Sequence, residues 1–232
     1  MTLGNVPISA RMKSPTEPLK RMMDDFAVKL RVAMPGIIKS FDLSKQTVTV
    51  QLAIREKLSI GGKPYEDVNI PIIEDVPIFM PRAGNFVLTM PITVGDECLV
   101  IFGDNCIDSW WESGAVGNQI DRRRHDLSDG FALIGVWSQP KVISGYSNDS
   151  TELRSLDNSS KIEIKDSEIN IISPTINVQA DTVNADATQI NLTGSTGVTI
   201  NGNNNSSIDN KLFLTHKHTG VQPGSGQTGS VA

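Results

Sequence analysis

Three observations predict a mainly β protein built from two unlike parts. Between Pro35 and about Pro140, short runs of alternating apolar and polar residues are broken by glycine and proline. From Ile162 onward, pairs of apolar residues at i and i+2 recur at a seven-residue step in an otherwise polar chain. Near the end, Thr215-His216-Lys217-His218-Thr219-Gly220 sets two imidazoles one residue apart. Together they imply an N-terminal Greek-key barrel of OB type, then an intertwined triple-stranded β-helix and a small metal-binding apex, assembled as a homotrimer.

The first 33 residues read as an arm and a short amphipathic helix. Leu19, Met22, Met23, Phe26, Leu30 and Ala33 recur at three- and four-residue steps, after Pro18 and before Pro35. This stripe has to dock on something, and core packing is the expected partner.

Residues 34–140 form the expected barrel. Val48, Val50, Leu52 and Ile54 alternate with Thr47, Thr49, Gln51 and Ala53, the pattern of a half-buried strand. Further strands are expected at Asn69 to Ile73, Phe86 to Met90, Glu97 to Phe102 and Phe131 to Val136, separated by Gly61-Gly62, Gly84-Asn85 and Gly95-Asp96. Most large side chains lie here, including Trp110, Trp111 and Trp137, so this part can fold around its own core. Residues 141–160 are rich in Ser, Asn and Asp and read as a linker.

The repeat occupies residues 161–201. Ile162/Ile164, Ile169/Ile171, Ile176/Val178, Val183/Ala185 and Ile190/Leu192 follow one another, and Val198/Ile200 continues them with one extra residue. A coiled coil would place apolar residues three and four apart, and the intervening Asn, Asp, Thr, Ser, Gly and Pro174 oppose helix. Strands this short would leave open edges and bury almost nothing in one chain. A single-chain β-helix takes roughly 20 residues or more per turn, leaving it too few turns here. Three identical chains wound around one another make a rod without free edges.

Residues 202–232 form the expected apex. On a strand, His216 and His218 face one way, and three copies on a threefold axis supply six nitrogens. Zinc prefers four ligands, so an octahedral set of six imidazoles favours an iron ion, with nickel or cobalt as substitutes. The imidazoles must be neutral to bind, so acid near or below about pH 6.5 should release the metal.

A net charge of −5 provides no basic field for nucleic acid, and no partner of that kind is expected. The first 30 residues contain no signal-like apolar run and no segment reaches a membrane-spanning length, so synthesis in the cytoplasm without a signal peptide is expected. Cys98 and Cys106 read as buried free thiols. Arg122-Arg123-Arg124 reads as a solvated loop, His125 as a loop hydrogen-bonding residue, and Asp96-Glu97 and Asp24-Asp25 as solvated charges. No nucleophile, phosphate-binding or dinucleotide motif is present, so neither enzymatic activity nor a small-molecule substrate is expected. The competing function is an OB-fold oligosaccharide- or oligonucleotide-binding module on a trimeric β-stalk.

At Met34-Pro35-Gly36-Ile37-Ile38-Lys39-Ser40-Phe41, Gln46-Thr47-Val48-Thr49-Val50-Gln51, Gly95-Asp96-Glu97-Cys98-Leu99-Val100-Ile101-Phe102 and Arg124-His125-Asp126-Leu127-Ser128-Asp129-Gly130, the chain resembles the N-terminal domain of the Gp138-like spikes of contractile-tail phages. Its repeat and Thr215-His216-Lys217-His218 are similar to the shaft and apex of small membrane-piercing spikes. The resemblance implies a homotrimeric virion protein at the tip of the tail baseplate. Its OB-fold collar would join the baseplate hub or tube protein, and its apex would hold iron through His216 and His218 of each chain. Such a needle is driven through the outer membrane of a Gram-negative host when the sheath contracts.

Overall fold

The structure, a computed structural model, describes residues 16–58, 66–201, 207, 208, 211, 212 and 224. It divides into a unit ending at Pro174 and a unit beginning at Thr175.

Helix α1 (Thr16–Lys29) opens the described chain, closing with a Leu30 N–H donation to the Phe26 carbonyl. None of its residues is buried, so the expected packing of its apolar stripe on the core does not occur. Ala33, expected on the helix, instead begins strand β1 (Ala33–Asp42). There follow β2 (Thr47–Leu52), β3 (Glu56–Leu58), β4 (Glu66–Val68), β5 (Ile73–Phe79), β6 (Arg82–Ala83), β7 (Phe86–Val87) and β8 (Glu97–Phe102). Helix α2 (Asp108–Ser113) and strand β9 (Gly130–Ile134) complete this part.

Five of these strands close into a barrel in the order β1-β2-β5-β9-β8 and back to β1. Every pair is antiparallel except β5 with β9, which run parallel. A register shift between Ile38 and Ser40 lets β1 bend from one neighbour to the other. The alternation in the sequence decides what goes inside: Val48, Val50 and Leu52 from β2, and Cys98, Val100 and Phe102 from β8, meet Ile38, Ile73, Val76 and Ala132 in one core.

Several strands differ from expectation for identifiable reasons. The signal at Asn69 to Ile73 marks burial more than a strand. Ile70 plugs the core while its carbonyl accepts from the Gln51 side chain at 2.8 Å, and the strand itself runs on through Ile73–Phe79. The Phe86 to Met90 run yields only two strand residues, paired across the Gly84-Asn85 turn with Gly84 at φ 54°. β9 stops at Ile134 because Gly135 takes φ 95°, so Val136 is outside it.

Gly36 lies where β1 is paired on both edges, opposite Leu52 and Cys98. A Cβ there would run into Val50 Cγ1 and come within 3.3 Å of Cys98 Sγ. Gly36→Val is expected to cost about 1–3 kcal/mol or more through overpacking, measured as a lowered denaturation midpoint against the unchanged slope.

Beyond the barrel, β10 (Thr151–Arg154), β11 (Lys161–Ile164) and β12 (Ile169–Ile172) form an antiparallel sheet in that order. Thr151–Arg154 therefore makes a strand inside the stretch read as a linker. The first two apolar pairs of the repeat, expected to pair between chains, find ladder partners within the chain: Ile162 opposes Ile171 and Ile164 opposes Ile169.

In the second unit no strand is formed among residues 175–201, and Ile176, Val178, Val183, Ile190, Leu192, Val198 and Ile200 are all exposed. Further on, β13 (Ser207–Ile208) pairs antiparallel with β14 (Lys211–Leu212).

Candidate functional site

The run Arg122-Arg123-Arg124 does not form one solvated patch. Arg123 donates from Nε to Asp129 Oδ2 at 2.7 Å and from Nη2 to Asp129 Oδ1 at 3.0 Å and Asp108 Oδ2 at 2.8 Å. These two carboxylates hold its guanidinium still more firmly protonated than usual. Asp129 is fully buried, at 0% exposure, and also accepts the Ile107 N–H at 2.9 Å. Its own carbonyl receives the Gly103 N–H at 2.8 Å, so one residue ties residues 103 and 107 and the start of α2 to the barrel. Sequence reading missed this device because Arg123 and Asp129 lie in a loop whose pairing no periodicity reports.

Cys106, Asp108 and Asp129 bring their ligand atoms within 4.8 Å of one another. The guanidinium of Arg123 already supplies the positive charge both carboxylates call for. This cluster is a structural ion network. Arg124 pairs at the surface with Asp104 at 2.9 Å. His125, at φ 48°, donates its backbone N–H to the Gly103 carbonyl and sets Nε2 3.5 Å from Asp104 Oδ1, while its Nδ1 is buried without a hydrogen-bond partner.

The acidic pairs sit at the surface. Asp25 pairs with Lys29 one turn along α1 at 3.1 Å, and Asp96 accepts the Thr93 N–H at 2.8 Å. Glu97 accepts from the Ser138 N–H and hydroxyl, which hold its carboxyl below the usual range. Cys98 and Cys106 are buried and free, as expected, and burial pushes the Cys98 thiol up to about 11. Trp110 and Trp111 stand side by side and about half exposed, with ring centroids 6.2 Å apart. His216 and His218 lie outside the described residues.

The sheet β10-β11-β12 inverts the usual rule of charges outward. Glu163, only 8% exposed, accepts from Asn170 Nδ2 at 3.0 Å and Lys161 Nζ at 3.2 Å and pairs with Lys165 at 3.2 Å. Lys161 also donates to Glu152 at 3.0 Å, and Arg154 reaches the Ser144 carbonyl at 2.7 Å. Asn170, Lys161 and Lys165 hold the Glu163 carboxyl down to about 2. Since it ionises more readily in the folded sheet than in an unfolded chain, its stabilising contribution is complete above the ordinary value near 4.5 and is lost as pH falls toward about 2. Amides of residues 151–172 are expected to lose hydrogen-exchange protection between pH 4.5 and 2 beyond the intrinsic pH effect. A Glu163→Gln protein should start with less protection and show little further loss.

No curated protein matches the chain. Residues 34–135 match the family described as the phage protein Gp138 N-terminal domain. That match begins one residue into β1 and ends one residue past β9, so it coincides with the closed barrel and its Arg123–Asp129 clamp. Over the barrel, then, the chain is similar to the Gp138 N-terminal domain of phage proteins.

Proposed function

We propose that the chain is the central spike of a contractile phage tail, a homotrimer at the baseplate tip that pierces the outer membrane of a Gram-negative host. The observation that carries this reading is the combination of a phage-family barrel with a repeat left without partners. The apolar pairs from Ile176 to Ile200 are exposed and unladdered within the chain among the described residues. Exposed apolar rows on such short segments call for other chains to cover them. The barrel order, with its single parallel pair between the third and fifth barrel strands, supports reading it as an OB fold. It would serve as the collar on the baseplate hub or tube protein.

In this reading the shaft is an intertwined triple-stranded β-helix, and His216 and His218 of each chain hold an iron ion at the apex. The work is mechanical, with no catalysis, no nucleic acid and no small-molecule substrate. No described helix is long and apolar enough to cross a membrane, and the proposed contact with the host membrane is transient. Tails assembled without this chain are expected to adsorb and contract but fail to admit a periplasmic reporter substrate. Normal permeabilisation by such tails would refute the role.

The half-exposed pair Trp110 and Trp111 favours, as a second reading, an oligosaccharide site on the barrel. Titration with envelope glycans, followed by tryptophan fluorescence, separates the two: quenching that Trp111→Ala abolishes would support the binding module.

A further inference from the structure

Strand β5 carries one residue more than its neighbour β2 where they pair. Val48 opposes Val76 and Val50 opposes Ile73, so Glu74 and Asp75 together face the single residue Thr49. This β-bulge, with Asp75 at φ 53°, turns two exposed carboxylates out of the barrel wall. They line a groove of about 470 Å³ whose walls also include Pro71, Ile72 and, from α2, Asp108 and Trp111. That volume lies in the range of clefts that hold small ligands, about 300–1,000 Å³. Trp111 is 44% exposed, so its indole is open to a partner.

We infer that this groove receives an arginine side chain carried by a partner protein. Among the described residues, three carboxylates and no basic side chain line it, and their charge is not cancelled in place. Glu74 has no hydrogen bond or ion pair among the described residues. The ion pair of Asp75, to Lys45 at 3.1 Å, is exposed on both sides and screened by water. Arg123 holds Asp108 and Asp129 at once, which leaves that network one negative charge in excess. Charge complementarity therefore calls for a cation. Arginine suits the walls better than lysine, because a planar guanidinium can lie on the indole of Trp111 while its edge meets a carboxylate. It is also the more weakly hydrated of the two cations, so entering a half-enclosed groove strips less water from it. A neutral sugar would leave the Glu74 charge unmatched, and an acidic envelope polysaccharide would be repelled. The inference goes beyond the spike reading and does not need it. Within that reading, the arginine would sit on the hub or tube protein that meets the barrel.

The full chain is titrated with an acetylated, amidated tetra-arginine peptide in about 50 mM and about 500 mM salt, by calorimetry and by tryptophan fluorescence. Saturable binding that quenches the fluorescence and weakens at high salt is expected. A tetra-lysine peptide should bind about fivefold more weakly or worse. Glu74→Gln changes an exposed side chain and should fold normally while losing about fivefold or more in affinity. Asp24→Asn removes the same charge from α1, outside the groove, and should change nothing. Equal weakening by the two substitutions would mean diffuse attraction to an acidic protein and overturns the site, as does equal binding of the two peptides or no binding at all. Quenching by maltohexaose with none by tetra-arginine overturns it in favour of a sugar. Light scattering of the same samples keeps the two questions apart. A trimer that ignores the peptide overturns the groove and leaves the spike standing, and a monomer that binds it does the reverse.

Discussion

Arg123→Ala is expected to destabilise the barrel by about 3–5 kcal/mol, the range for removing one partner of a buried ion pair. The reason is the asymmetry of the pair. Asp129 is completely buried and keeps only the Ile107 N–H when the guanidinium is gone, whereas Arg123 itself retains some contact with water. For a domain near 100 residues the loss corresponds to a fall in melting temperature of roughly 15–30 °C. Arg124→Ala is the internal comparison, since its pair with Asp104 is exposed on both sides and exposed pairs contribute about 0–1 kcal/mol. Urea unfolding followed by the fluorescence of Trp110 and Trp111 measures both. Equal, small losses in the two variants would show that the clamp does not hold the loop as described.

If the proposed apex site exists, native protein holds one iron atom per three chains and the double substitution His216→Ala and His218→Ala is expected to leave none. Two imidazoles at i and i+2 on a strand face the same side, and no single chain can surround an octahedral ion with them. In the proposed trimeric site each single substitution would remove three of six nitrogens at once, because every copy carries it, so either alone should strip most of the metal. Metal should also leave the native protein as pH falls through about 6.5, where imidazole protonates. Elemental analysis of the gel-filtered protein reads all three. Metal at one atom per chain, or retained by the double variant, would place the ion elsewhere.

The barrel was legible because its strands obey the rule that burial follows alternation. Val48, Val50 and Leu52 point inward with Thr49 and Gln51 between them, and Cys98, Val100 and Phe102 repeat the pattern. β5 was hidden by Pro71 and Pro77, since proline donates no ladder hydrogen bond and argues against a central strand. β10 was hidden in a stretch whose Ser, Asn and Asp read as a linker, and its Glu152 and Arg154 turn toward an enclosed ion network instead of completing an apolar alternation. The stripe of α1 was readable as a stripe, yet nothing in a single sequence says what an apolar face will meet. Arg123 looked like its neighbours because a buried carboxylate six residues away leaves no periodic trace. The histidine pair lies outside the described residues and stands on its sequence pattern alone.

The proposed spike exists only as an assembly of copies, and the molar mass in solution measures that directly. Light scattering on the full chain should give about 75 kDa, three times the 25.1 kDa of one chain, unchanged on tenfold dilution. A mass of 25.1 kDa would leave the rows from Ile162 to Ile200 uncovered and contradict the spike.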